Sequence, residues 1–577
     1  MIVHVLACDY DGTIADRGRL APDTAAALRR VRESGRKVML VTGRMLPDLR
    51  HVCPEVDALF DAVVAENGAV LYVPDRREVK ILGDAPEPRL VEALQRRQVP
   101  FDLGSAIVAT TGPFADAALD AIRETGVERT LVFNKGALML LPGGVTKGTG
   151  LDAALARMEL SAHNVVAVGD AENDHAFLNL CEFAVAVADA VPALAERADF
   201  VTPGPASRGV IELIDEHVLR DAVDLAGRAR RHRLAIGETS DGHTVLLSPH
   251  ATRLFVVGPS ASGKSTLTGV LVERLVEQGR AVCLLDPEGD YQSLTDLEGV
   301  VVLGGKADRA LPTREELAQL LRRPRSSLVL NLSAMSRAEK VQYGTQALAS
   351  VAAVRGSHGL PHWLIVDEAH HVFPKDGSPA TELILRGRDS VCLITLDVEA
   401  LAAELRAAPN VVASTDLDAF NTTLTAIAEA RGDGSARLPA ALGGAALDAG
   451  EAAVAWLDGE PGAQRFRVAR RRVEHRRHVR KYVEGELPPH RSFYFRGANG
   501  ALNLRAANLE RFCKLAEGVD EQTWLWHFQR GDYSRWLREM IKDAELADEV
   551  AALEARPGTA SDSRRATLAA IRRRYAA

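Results

Sequence analysis

The stretch IVHVLACDYDGT (residues 2–13) decides how the first third of the chain is read. Its apolar run is short, and it stops abruptly at two acidic residues and a glycine. Such a run reads as a strand buried on both faces of a sheet. Asp9 and Asp11 then sit at its carboxyl end, where open α/β sheets bind their ligands. On an extended chain, positions i and i+2 face the same side, so both carboxylates are expected to address one site. Gly12 permits a turn and Thr13 offers a hydroxyl. One carboxylate at such a site can attack phosphorus and form an aspartyl-phosphate. The other can protonate the leaving alkoxide and then activate water. Two carboxylates this close call for a cation, and Mg²⁺ is the expected one.

Working outward, short apolar strands (KVMLVT 37–42, AVVAE 62–66, VVAVG 165–169, FAVAV 183–187) alternate with helical stretches such as DTAAALRRVRESG (23–35) up to about residue 219. The alternation predicts a parallel sheet covered by helices on both faces. Thr42, after the second strand, can hold a phosphoryl oxygen, and Lys147 in TKGTGL can neutralise developing charge. GDAENDHAFL (169–178) puts Asp170 at another strand end, with Asp174 one turn later.

DYDGT, VTGR, Lys147 and GDAEND, in that order, resemble the haloacid dehalogenase (HAD) superfamily of phosphatases, in its Cof-type, class IIB-like branch. The resemblance covers residues 1–219. It implies Asp9 as nucleophile and Asp11 as acid/base, with Mg²⁺ held by Asp9, the Asp11 backbone carbonyl and Asp170, and Asp174 in support. Too few residues separate the first two motifs for a large cap, so the cap is expected at 74–143, between Thr42 and Lys147. The implied substrate is a phosphorylated small molecule.

A charged, Ala-rich linker (220–233) leads to a second α/β run over 234–464. GPSASGKS (258–265) follows the apolar strand RLFVVG and opens the helical TLTGVLVERLVEQG, the strand–loop–helix context of a phosphate-binding loop. Backbone amides from Gly258 through Ser260, Ser262 and Gly263 to Ser265 and Thr266 form an anion nest at a helix N-terminus. Lys264 is expected on the β/γ-phosphates of ATP and Ser265 on Mg²⁺. HWLIVDEAHH (362–371) supplies Asp367 to orient the Mg²⁺ and Glu368 to polarise the attacking water. Together with LLDPEGDY (284–291) and LRGRDSVCLIT (385–395), these motifs resemble the HerA–FtsK superfamily of ring-forming translocases. That resemblance implies a homo-oligomer, a hexamer, with Arg388 as an arginine finger acting in trans. Where such motors carry a polar sensor, often Gln, this chain reads Thr395-Leu396-Asp397.

Residues 465–577 form a basic stretch and a helical tail. Nine Lys/Arg and one Glu fall between 465 and 481, a run able to neutralise nucleic-acid phosphates. We favour the reading as a solvated face, or one docked on acidic surface. Trp524, Trp526, Phe528, Trp536 and Leu537 are expected in a core, and the HxxRGDYSRW pattern (527–536) is similar to an uncharacterised helical domain.

Composition sets the bounds. At 577 residues the chain is long enough for roughly three to four domains. With 47% hydrophobic and 26% charged residues it builds sizeable cores, and a net charge of −8 selects no class of macromolecular partner. Six cysteines without CxxC spacing argue against a disulfide framework or zinc cluster and fit a reducing compartment. No apolar run approaches the roughly 18 residues of a membrane span, so a cytoplasmic, membrane-free protein is expected. The fold expected is α/β: a Rossmann-like phosphatase core with a small α/β cap, a P-loop ATPase domain and a small helical C-terminal domain. The function expected is a Mg²⁺-dependent phosphomonoester hydrolase that the ATPase domain regulates, assembles or delivers. The alternatives are a metabolite phosphatase/kinase and an ATP-switched scaffold.

Overall fold

The computed structural model describes residues 3–134, 136–221, 225, 229, 231–260, 262–305, 310–376, 379–386, 390–432, 439–458, 462–471, 487, 489, 492–497, 500, 502–541 and 543–575. Residues up to Arg470 form one compact unit, and those from Arg471 a second. Among the described residues no helix is long and apolar enough to cross a membrane.

The first unit holds two large sheets. In the N-terminal lobe eight strands run in the order Phe200–Val201, Phe183–Ala186, Val165–Gly169, Val5–Cys8, Lys37–Val41, Ala62–Ala65, Val70–Val73, Glu78–Ile81. The first six are parallel and the last two antiparallel. Val5–Cys8 is central and wholly buried because alternate side chains serve two cores. Leu6 and Cys8 pack on one face, Val5 and Ala7 on the other. A separate four-stranded antiparallel sheet (Arg129–Asn134, Ala137–Pro142, Val108–Thr111, Asp102–Leu103) lies within the expected cap and packs on helices Pro88–Arg96 and Ala115–Thr125. The strand Glu78–Ile81, inside the span assigned to the cap, pairs instead with the core sheet.

Among the described residues the second lobe has an eleven-stranded sheet. Arg253–Val257, before the phosphate-binding loop, lies between Val411–Ser414 and Ser390–Thr395, and Trp363–Val366, before Asp367, comes next. One strand thus separates the two that end at the nucleotide motifs. Gly462–Val468 pairs with Glu451–Trp456, so this sheet runs past residue 464 into the basic stretch. Most of that stretch, 472–481, lies outside the described residues, as does Arg388.

Among the described residues the C-terminal unit holds an antiparallel strand pair, Phe493–Phe495 with Leu504–Ala506, and five α-helices. Trp524, Phe528, Trp536 and Leu537 are buried in its core, while Trp526 is half-buried under the Arg530 guanidinium.

A buried charge joins the two lobes of the first unit. Glu182, on the phosphatase-like lobe, is 0% exposed. Arg280 of the second lobe donates to both of its oxygens at 2.8 and 2.7 Å, and His250 bonds one of them. His163 sits between Glu182 (2.6 Å) and the Gln278 carbonyl (2.7 Å), and His362 reaches Ser161 at 3.0 Å. Arg280 and its neighbours hold Glu182 well below the usual carboxylate range despite its burial. Burial pushes His232, His250 and His362 below the ordinary histidine value, His250 to about 4.

Removing one partner of a buried pair typically costs about 3–5 kcal/mol. Glu182→Ala is therefore expected to lower the urea midpoint of the full chain sharply, and Glu182→Gln less so. The histidines take up protons more readily once unfolded, so stability should fall as pH drops from 6.5 to about 4. Urea unfolding at a series of pH values checks both expectations.

Candidate active site and nucleotide site

Three strand ends place the first site. Asp9 follows Val5–Cys8, Thr42 follows Lys37–Val41, and Asp170 follows Val165–Gly169; all three residues are buried. Paired register sets the strand ends side by side, Cys8 opposite both Val168 and Leu40. Asp174 ends a short 3₁₀ turn, and its Oδ2 accepts from the amides of Asp170 (2.8 Å) and Ala171 (2.9 Å). Thr13 Oγ1 donates to Asp170 Oδ1 at 2.9 Å.

Lys147 opens the helix Lys147–Arg157, whose N-terminus is closed by a Thr146–Thr149 capping box. Its ammonium donates to Asp9 Oδ1 and Asp174 Oδ1, 2.6 Å each. Burial works against that charge, yet the carboxylates of Asp174 and Asp9 outweigh it and hold Lys147 above its ordinary value. Asp9 is pushed well above the usual carboxylate range, first by burial; Lys147 pulls it back, and Asp174 and Asp170 push it further. Oxygens of Asp9, Asp170 and Asp174 lie within 4.8 Å of one another. Three buried carboxyl groups gathered this closely form an all-oxygen donor set that suits a hard divalent cation.

Asp11 departs from the expectation that it shares a site with Asp9. The chain does not stay extended: the amides of Thr13, Ile14 and Ala15 all turn back onto the Tyr10 carbonyl, and Gly12 takes φ +83°. The Asp11 carboxylate is turned onto Arg44, which donates at 2.6 and 2.8 Å. Arg44 also binds Asp48 at 2.6 Å. It stands in VTGR itself, and a single Arg two residues after Thr42 was the available signal.

The helix carrying Lys147 sits unusually close to the Glu66–Gly68 turn. A Cβ on Gly68 would lie 1.9 Å from the Thr146 carbonyl oxygen, and one on Gly150 would lie 2.5 Å from the Gly68 Cα. These two glycines are what let the helix approach.

At the second site Gly258 (φ +146°) and Gly263 (φ +107°) turn the phosphate-binding loop into the helix Lys264–Glu277. Lys264 donates to the carbonyls of Gly258 and Pro259, both 2.8 Å, and burial lowers its pKa. Ser262 bonds Thr415 at 2.7 Å. Ser265 donates to Asp290 Oδ2 at 3.2 Å; Ser260 and Thr266 are exposed. Asp367 is buried and pushed up to about 7, first by burial, with Glu368, Asp286 and Asp290 adding to it. Asp286 accepts from the amides of Gly289, Asp290 and Tyr291 and so shapes the loop that presents Asp290. Glu368 is left-handed, φ 41° and ψ 51°, a conformation that costs a non-glycine residue roughly 1–2 kcal/mol. Asp286, Asp290 and Thr415 were not singled out from sequence. LLDPEGDY contained the first two, while Thr415 comes from a strand with no recognisable motif.

The profile of the haloacid dehalogenase-like hydrolases matches residues 6–95 and 114–214, and that of the helicase HerA central domain matches 245–345. The phosphoglycolate phosphatase of Methanothermobacter thermautotrophicus is 37% identical over 221 residues, 37% of this chain and 97% of the relative. Phosphoglycolate phosphatase 2 of Saccharolobus solfataricus is 30% identical over 219 residues, covering 37% and 91%. Among solved structures, a haloacid dehalogenase-like hydrolase from Bacteroides thetaiotaomicron aligns with 37% of this chain and 99% of its own, at 18% identity and a TM-score of 0.34.

Gly68→Ala is expected to destabilise the chain by about 1–3 kcal/mol through overpacking, and to move Lys147 off Asp9. Thermal unfolding should report the first effect and a loss of phosphatase rate the second.

Proposed function

This chain belongs to the haloacid dehalogenase-like hydrolases through its N-terminal lobe and carries a HerA-type ATPase domain behind it, and from that premise we propose a Mg²⁺-dependent phosphomonoesterase working through Asp9. The observation that carries the reading is the cluster of Asp9, Asp170 and Asp174, with Asp9 and Asp170 at the ends of adjacent parallel strands and Lys147 bonded to Asp9 and Asp174. The phosphoglycolate phosphatases among the relatives support a small, anionic phosphate ester as substrate.

In this mechanism an Asp9 oxygen attacks phosphorus, the bond from phosphorus to the leaving oxygen breaks, and Asp11 delivers a proton to that oxygen. Water then attacks the phosphorus of the aspartyl-phosphate and gives its proton to Asp11. Inorganic phosphate leaves and Asp9 is regenerated. Asp11 first has to leave Arg44, so the Arg44 pair is a step on the path to the acid form. The Thr42 hydroxyl accepts from the Arg44 amide at 3.1 Å and keeps its own proton to donate to a phosphoryl oxygen. Lys147, bonded to Asp9 and Asp174, balances charge at the nucleophile. Asp9, the Asp11 carbonyl and Asp170 would hold Mg²⁺, with Asp174 in support. The ion supplies charge neutralisation for the phosphoryl group.

In the second lobe Lys264 would exchange the loop carbonyls for the β/γ-phosphates of ATP, bound on amides from Gly258 to Thr266. Ser265 and Asp367 would hold its Mg²⁺, and Glu368 would activate water. We assign this domain a regulating, assembling or delivering role toward the phosphatase, an assignment supported by the buried seam at Glu182. A hexamer with Arg388 acting in trans remains part of this reading.

A panel of phosphorylated carboxylates and sugars, run with and without ATP, tests the proposal. Asp9→Asn should abolish ester hydrolysis and spare ATP turnover; retained hydrolysis would sink the nucleophile assignment. Millimolar Mg²⁺ should raise the melting temperature of the parent chain and much less that of Asp170→Asn. Lys264→Ala should lose ATP binding, whereas Glu368→Gln should bind ATP and fail to turn it over.

A further inference from the structure

We infer that His370 is a positioning residue of the nucleotide site, holding Glu368 and tying it to the end of the strand between the two nucleotide strands. The inference rests on the ATPase reading above. It starts from a gap in the sequence: Thr395-Leu396-Asp397 stands where a polar sensor is expected. The structure shows how those three residues are occupied. Leu396 is 40% exposed, and the Asp397 carboxylate accepts from the Glu399 amide at 2.9 Å, capping the next turn. The Thr395 hydroxyl donates to the Asp397 carbonyl at 3.0 Å.

His370 comes from the other side. It lies in the 3₁₀ turn Ala369–His371 that left-handed Glu368 initiates. Its Nδ1 is 3.4 Å from Glu368 Oε2 and 3.4 Å from Thr395 Oγ1. Both neighbours are acceptors, since the Thr395 proton is committed to Asp397, so hydrogen-bond accounting puts the imidazole proton on Nδ1. Glu368 Oε2 is buried and accepts no hydrogen bond, which leaves the imidazole N–H as the donor poised to orient it. His371 packs against the ring, centroids 4.3 Å apart, and helps fix its plane. The arrangement follows the logic of outer groups that fix the orientation of a group contacting substrate. One imidazole thereby connects the water-activating carboxylate to the strand whose end usually reads the terminal phosphate.

The full chain tests this. His370→Ala is expected to lower kcat for ATP hydrolysis by on the order of tenfold to a hundredfold. KM, and binding of the β,γ-imido analogue of ATP, should stay within about twofold. His370→Asn, which restores an N–H donor near the position of Nδ1, should recover most of the loss. In a Glu368→Gln background, His370→Ala should add no further loss, because the group it positions is already disabled. An unchanged kcat in His370→Ala overturns the inference. So does a joint fall in analogue affinity and melting temperature that Asn does not repair, since that pattern marks a packing role. A parent chain that binds the analogue yet never turns over ATP overturns the ATPase reading itself, and the assignment of His370 with it.

Discussion

Glu182 is the constraint on which the first unit depends. A carboxylate fully removed from water is tolerated only where its charge is met, and here the chain meets it from the other lobe, with Arg280 across both oxygens. Neither lobe can give up the other without exposing a bare buried ion. The exposed pair between the same lobes, Arg325 with Asp152 at 3.0 Å, adds little by comparison because water screens it. The seam also lies at a telling place. The helix that begins at Lys264 ends one residue before Gln278, whose carbonyl faces His163, and Arg280 follows two residues later. On the other side the turn Ala162–Asn164 leads directly into Val165–Gly169, the strand that ends at Asp170. One helix and one strand therefore run from the two phosphate sites to a common buried contact.

The phosphatase core was legible in the sequence because its site residues close strands. Asp9, Thr42 and Asp170 each follow a short apolar run, and a parallel sheet brings such ends together whatever the intervening helices do. The Asp11 carboxylate is placed away from Asp9 for an equally local reason. Period-two reasoning holds only while the chain is extended, and the turn onto the Tyr10 carbonyl ends that extension one residue after Asp9. The carboxylate then finds the nearest strong donor, Arg44.

The seam was not legible. Glu182 and Arg280 are 98 residues apart and belong to different sheets, so no periodicity or motif relates them. A lone Glu in NLCEFAV reads as a solvated loop residue, and only the docking of two finished lobes gives it a partner. Asp290 and Thr415 are intermediate cases. Asp290 lies four residues past the legible strand Val282–Asp286 and Thr415 directly follows the strand Val411–Ser414, but their bonds to Ser265 and Ser262 depend on the order of strands across the sheet. Arg388 and residues 472–481 lie outside the described residues, so the finger and the basic patch stand as readings of sequence.

The two sites handle the same chemical group by opposite electrostatic designs. The first gathers carboxyl groups in a buried pocket with one lysine bonded to two of them, a donor set that suits a hard divalent cation. The second offers backbone amides at a helix N-terminus, with its lysine donating to two loop carbonyls. The first site is therefore set by clustered carboxyl groups, the second by a loop whose shape glycine alone permits. Lys264 opens the helix Lys264–Glu277, and just past its other end Gln278 and Arg280 meet His163 and Glu182.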